Sequence, residues 1–407
     1  MMKASAAKTF LDIAAQLRHE GLLAQNGETV AVSLRADGGN YYYAELKGGA
    51  EASDTLVQER PLDGENDPAS VVFGQKPDVT SVLMLPGVYA LEASKTLKKL
   101  TAELDDMAQI VGLTARAAAD ESPAELKRCL RGRNSCFVKN RGMLTTGRSA
   151  TEAITGAVLL EKAAMTHILA KKIGGAKRVP PVSAALMHLV YQKKYSKINL
   201  TEETARSRAK GPNTADAPAW SEREGELRRE IVDYGKRLVD EGLVQGTWGN
   251  LAVRLDETYM LVTPSGLDYR ALAPEDIVKV ELDTLEYGNQ RKPTSEKQLH
   301  RDLLSARPDV GAAIHTHAKN CGVFAAARKS VCCVSDELRS LTGDEIRCAP
   351  HALPSTKKLS RVALKALGGR NACLLMNHGV LCCGEDLKRA YEACKASERA
   401  AGEQLGL

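Results

Sequence analysis

Short apolar runs alternate along this chain with longer stretches in which apolar residues return every three or four positions, so the runs read as strands and the stretches as helices. Residues 30–34, 251–255 and 310–314 are strand-like, and 374–381 reads as two short strands joined through a turn with His378 at its apex. Helical patterns cover 150–174, 221–241 and 387–404, the middle one followed by Gly242, a residue suited to a helix C-terminus. Another helix is predicted after Thr294 or Ser295, either of which can cap it, with Glu296 in its first turn and Leu299, Leu303 and Leu304 on its apolar face. Helices alternating with short strands predict an α/β fold in which helices cover a mixed sheet.

The pattern occurs twice. Glu20-Gly21-Leu22-Leu23 and the run 30–34 parallel Glu241-Gly242-Leu243-Val244 and the run 251–255; Pro77-Asp78-Val79 parallels Pro308-Asp309-Val310; and residues 132–142 parallel 369–379. A tandem duplication is therefore expected, with a first domain at 1–195, a polar linker at 196–220 containing Gly211-Pro212-Asn213, and a second domain at 221–407. In this register His315 meets Met84, His317 meets Pro86, His378 meets Arg141 and Gly249-Asn250 meets Glu28-Thr29, so the first copy is expected to lack the chemistry of the second. Glu65 aligns with Glu296 and reads as a solvated surface acid.

At 407 residues there is room for two or three domains, each with its own core. A net charge of +5 and 4% aromatic residues leave neither the basic face nor the stacking platforms of a nucleic-acid binder. Ten cysteines, several adjacent or inside apolar runs, read as small buried hydrophobes in a reducing cytoplasm. No apolar run is expected to reach membrane-spanning length. Residues 1–22 are amphipathic and basic enough to imitate a targeting helix, but their place in the repeat assigns them to the fold.

Chemistry concentrates in the second copy. His315 and His317 lie two apart on a strand, so they share a face and can grip one metal ion. With His378 and Glu296 they form a donor set of three imidazoles and a carboxylate, for which zinc is the usual choice, another divalent transition metal being admissible. His300, four residues after Glu296, is a rival ligand by spacing and otherwise a supporting or helix-packing residue. His351 is a loop residue that either lines the pocket or faces solvent. The turns containing Thr247, Gly249 and Asn250, Ser265 and Gly266, and Thr294 and Ser295 supply the small hydroxyls and close backbone approach that phosphate recognition needs.

Taken in order, Gly246-Thr247-Trp248-Gly249-Asn250, Thr263-Pro264-Ser265-Gly266, Pro293-Thr294-Ser295-Glu296, His315-x-His317 and Asn377-His378-Gly379 resemble the class II aldolase/adducin family over about residues 222–407. The resemblance implies a three-layer α/β/α fold with a mostly antiparallel central sheet, His315, His317 and His378 as zinc ligands, and Glu296 as fourth ligand and then general acid or base. It implies an aldolase that forms or cleaves a carbon–carbon bond in a small sugar phosphate through a metal-stabilised enediolate. A 4-epimerase, dehydratase or decarboxylase on the same scaffold, or a non-catalytic assembly module, stays open. Glu296 leans toward aldolase, since related 4-epimerases carry Asp there. The chain departs from the family's aldolases at Ala349-Pro350-His351, where they carry aromatic residues, and residues 331–343 lack a tyrosine. Family members resemble rings of four subunits, so a homo-oligomer is expected, with two duplicated chains closing a pseudo-four-fold ring.

Overall fold

A computed structural model describes residues 3–23, 28–49, 56–63, 67–192, 220–288 and 291–407. Glu65 and all of the expected linker but Trp220 lie outside the described residues. The chain divides into two compact units: one runs to Ile168 and resumes at Arg178, and the other takes Leu169–Lys177 together with the second half of the sequence.

The first unit holds strands β1 (Thr29–Arg35), β2 (Asn40–Lys47), β3 (Gln58–Pro61), β4 (Ser81–Leu85), β5 (Lys99–Thr101), β6 (Thr114–Ala118), β7 (Ser135–Val138) and β8 (Gly142–Gly147). The second holds β9 (Gly249–Arg254), β10 (Tyr259–Val262), β11 (Val278–Glu281), β12 (Ala312–Thr316), β13 (Val331–Cys332), β14 (Glu345–Ala349), β15 (Ala372–Leu375) and β16 (Gly379–Gly384). Their orders are β3-β2-β1-β4-β8-β7-β6-β5 and β11-β10-β9-β12-β16-β15-β14-β13, the same path walked twice. Every pairing is antiparallel except β6 with β7 and β14 with β15. The duplication and the mostly antiparallel sheet covered by helices are thus both present.

In the second unit the helices Lys297–Ala306 and Lys357–Leu367 seal one face of the sheet: Leu299, Leu303, Leu304, Leu359 and Leu367 pack with Val262, Val280, Ala313, Cys373 and Leu381. Lys319–Ala327 and Leu387–Leu405 cover the other face. Burying one large aliphatic side chain contributes roughly 1.5–3 kcal/mol, and here that layer fixes the ends of β9, β12 and β16 from which the polar residues below project.

Three expectations need correction. The helix after Thr294 starts at Lys297, with Glu296 as the residue before it and no side-chain cap; the Thr294 hydroxyl accepts instead from the Glu296 N–H at 3.2 Å. The helix Ala150–Ala170 with the turn Lys171–Ile173 is, by length and composition, apolar enough to cross a membrane, but its apolar window is 78% buried within the protein.

The third concerns register. Met84 pairs with Ala31 and His315 with Asn250, so it is Val30-Ala31, and not Glu28-Thr29, that occupies the place of Gly249-Asn250. Arg35 and Arg254 confirm it: Arg35 donates to the carbonyls of Phe73, Lys76 and Val79, and Arg254 to those of Leu304, Arg307 and Val310. A slip of two residues keeps every side chain on its own face, so the apolar pattern alone cannot detect it.

Candidate metal centre

Strand β12 delivers His315 and, one residue past its end, His317 on the same side. Because β12 pairs with β16, the turn between β15 and β16 arrives directly beside His315. Asn377 makes that turn in the left-handed region (φ 60), and Gly379 allows the close approach: a Cβ there would lie 2.3 Å from the Thr316 carbonyl oxygen and 3.0 Å from His315 Cε1. Gly249 serves the same purpose on β9, at φ 143 and with its missing Cβ 2.9 Å from the His315 carbonyl oxygen.

The three imidazoles consequently meet in a buried cluster, their ligand atoms all within 4.8 Å of one another. His315 Nδ1 donates to the Val380 carbonyl at 3.0 Å, which turns its Nε2 inward to lie 3.1 Å from His378 Nε2. Two nitrogens on one tetrahedral zinc stand roughly 3.3 Å apart, given Zn–N distances of roughly 2.0–2.1 Å. The donor set fits such an ion in geometry, burial and chemistry. Among the described residues no other group of His, Cys, Asp and Glu is arranged to hold a metal. In the first unit the corresponding places hold Met84, Pro86 and Arg141, the last ion-paired at 2.7 Å with Glu121.

Glu296 faces this cluster, its Oε2 3.3 Å from His315 Nε2 and its Oε1 3.8 Å from His378 Nε2. Burial works to raise its pKa, but His315 and His378, the hydrogen bond from Asn250 and finally His317 outweigh it and hold the carboxyl down at about 2. The group therefore stands as a carboxylate. Asn250 Nδ2 donates to Glu296 Oε2 at 3.1 Å, and Asn250 Oδ1 is in turn hydrogen-bonded to His300 Nε2. His300 is fully buried, which pushes its pKa down to about 4 against the pull of Glu296, so it is a neutral imidazole. It stands outside the triad; its backbone N–H donates to the Glu296 carbonyl at 3.3 Å, and its ring reaches the Glu296 carboxylate through Asn250. Nothing in the sequence but the four-residue spacing from Glu296 to His300 points to this chain of contacts.

The turns singled out for phosphate surround the cluster unevenly. Thr263-Pro264 and Pro293-Thr294 lie side by side, bridged by Ser265 N–H to the Lys292 carbonyl and Thr294 N–H to the Thr263 carbonyl. Thr247, Gly266 and Ser295 are exposed, Ser265 and Gly249 half-buried, and Thr294 buried. Asn250 is placed differently from the rest, its amide engaged at both ends. His351 is half-buried, and its ring hydrogen-bonds the backbone of Met376, next to the turn that carries His378.

A family model described as the class II aldolase and adducin N-terminal domain matches residues 67–168 and 229–405, more than half of the chain. A 5-methylthioribulose-1-phosphate/5-deoxyribulose-1-phosphate aldolase of Rhodospirillum rubrum is 40% identical over 166 residues, 41% of this chain and 74% of that protein. L-fuculose phosphate aldolase of Escherichia coli is 34% identical over 164 residues, 40% of this chain and 75% of its own. A solved L-fuculose 1-phosphate aldolase covers 44% of this chain and 84% of its own at 34% identity, with a TM-score of 0.42.

Proposed function

This chain belongs to the class II aldolase and adducin family, and on that premise we propose that its second half is a zinc-dependent aldolase making or breaking a carbon–carbon bond in a small sugar phosphate. The observation that carries the reading is the buried triad of His315, His317 and His378 with the Glu296 carboxylate 3.3 Å from its centre-facing nitrogen. When bound, Zn²⁺ or another divalent transition metal supplies a Lewis acid for the substrate carbonyl.

The chain's own groups do the rest. Glu296, ionised and held by Asn250, is the group that takes a proton from the substrate and returns it. Thr247, Gly249, Ser265, Gly266, Thr294 and Ser295, with Asn250 at their inner edge, offer the hydroxyls and backbone N–H groups that receive the phosphate. The first half, without the imidazoles, serves assembly, and two chains close a pseudo-four-fold ring. All ten cysteines are free thiols and eight are buried, which supports a reducing, cytoplasmic setting.

The test is incubation of the zinc-loaded full chain with L-fuculose 1-phosphate, 5-deoxyribulose 1-phosphate and 5-methylthioribulose 1-phosphate, following release of dihydroxyacetone phosphate. Release that a chelator abolishes is expected for at least one of them. Metal bound without any release overturns the aldolase reading and turns attention to epimerase, dehydratase or decarboxylase chemistry.

A further inference from the structure

An amide side chain has two unlike ends, and which end faces a carboxylate decides whether the contact attracts or repels. Asn250 stands opposite His315 in the β9–β12 ladder, with Glu296 on one side of its amide and His300 on the other. If Nδ2 faces Glu296, a donor meets a carboxylate. If the amide turns over, Oδ1 meets it instead, acceptor against acceptor. Something must fix the choice.

We propose that His300 is a positioning residue: its Nε2–H donates to Asn250 Oδ1, locks the amide with Nδ2 toward Glu296, and so holds the Glu296 carboxylate at the imidazole cluster. This rests on the reading of that cluster as a metal centre and adds a role for His300 to it. Three observations converge. His300 is fully buried on the helix Lys297–Ala306, where a polar ring taken out of water needs a hydrogen-bond partner to offset its desolvation. Its Nδ1 has no hydrogen-bond partner among the described residues, which leaves Asn250 as the partner of the ring. The same helix begins directly after Glu296, so His300 and Glu296 sit one turn apart on a rigid element and clamp Asn250 between them. The proton on Nε2 also fixes the tautomer, since a neutral ring protonated there keeps Nδ1 as a bare acceptor.

The experiment uses the full chain with Co²⁺ as probe, comparing wild type with His300→Leu, His300→Gln, Asn250→Ala and the double variant His300→Leu/Asn250→Ala. His300→Leu is expected to weaken Co²⁺ binding about tenfold to a hundredfold, the usual scale for a partner one shell behind a ligand, and to shift the visible Co²⁺ spectrum. His300→Gln, whose amide N–H reaches the position of Nε2, restores both. The double variant binds no worse than Asn250→Ala alone, because His300 acts only through Asn250. The same cycle is read by urea unfolding of the metal-free chain, where the His300→Leu cost is expected to shrink in the Asn250→Ala background. Should His300→Leu fail to fold, His300→Asn, too short to reach Asn250, takes its place. Additive losses, or a His300→Leu protein with unaltered affinity and spectrum, overturn the positioning role while leaving the metal centre standing. A wild type that binds no Co²⁺ overturns the metal reading instead, and the unfolding cycle then decides His300 by itself.

Discussion

At His315 the ring has two separate tasks, one nitrogen on the Val380 carbonyl and the other turned inward to the cluster, so removing it removes an inward-facing donor and an anchor together. The purified chain is expected to hold close to one Zn²⁺, because only the second half has the imidazoles, and His315→Ala is expected to hold none. Elemental analysis decides it, and two metals per chain or full occupancy in the variant would sink the assignment. Glu296→Gln keeps the size and a hydrogen bond from Asn250 yet loses the charge and the proton-accepting oxygen; turnover should fall on the order of 10²-fold or more, with the fold intact by circular dichroism. An unaffected rate would move the acid–base role elsewhere. The triad and Glu296 are legible in the sequence because each follows from local spacing: two apart on a strand, apex of a turn, start of a helix. The bridge through Asn250 is not, because it joins residues 46 and 50 positions apart and depends on which residue of β9 stands opposite His315.

Among the elements, the β15–β16 turn is the most sensitive to small changes. Gly379→Ala would place a methyl group 2.3 Å from a backbone oxygen that cannot swing away, so β12 and β16 must separate. Forced extra volume of this kind costs about 1–3 kcal/mol, and here it also drives His315 and His378 apart. A lower melting temperature together with weaker zinc binding is expected; loss of stability with unchanged zinc affinity would show that the turn and the ligands relax independently. Strands and helices are readable from periodicity, the mostly antiparallel character of the sheet is what the family resemblance implies, and the strand order comes from the structure. What periodicity does not fix is phase along an element. A slip of two between the copies at β1 and β9 leaves the alternation intact, and Thr294 and Ser295 predict a helix start ahead of Lys297 because Thr and Ser resemble caps whether or not their hydroxyls reach the helix.

On the scale of the whole molecule, the duplicated turns at Asn140 and Asn377 carry the question of what the first half does. Both asparagines take the same left-handed conformation, at φ 61 and φ 60. Asn140 is exposed, whereas Asn377 is fully buried and donates through Nδ2 at 2.7 Å to the Lys177 carbonyl, a residue that precedes the second copy in sequence but belongs to its compact unit. Lys177 N–H in turn donates to the Ala326 carbonyl at 2.8 Å, and Lys172 Nζ to that of Leu405 at 2.6 Å, so the segment Leu169–Lys177 is tied to the second unit at three points. Glycine tolerates the left-handed backbone, so Asn377→Gly isolates the hydrogen bond from the backbone effect. Its loss should cost about 0.5–1.5 kcal/mol and weaken zinc binding through the neighbouring His378, while Asn140→Gly leaves both nearly unchanged. Equal effects at the two sites would deny the segment any part in the metal centre. The stronger form of the same test deletes residues 1–215, which takes the segment away along with the first copy. If the first half completes a closed ring, the intact chain has the solution mass of a dimer and the truncated one loses both assembly and zinc-dependent activity, since a closed arrangement leaves no interface unfilled only while all its members are present. A monomeric intact chain, or a truncated one with unaltered activity and assembly, would reduce the first half to a fused appendage.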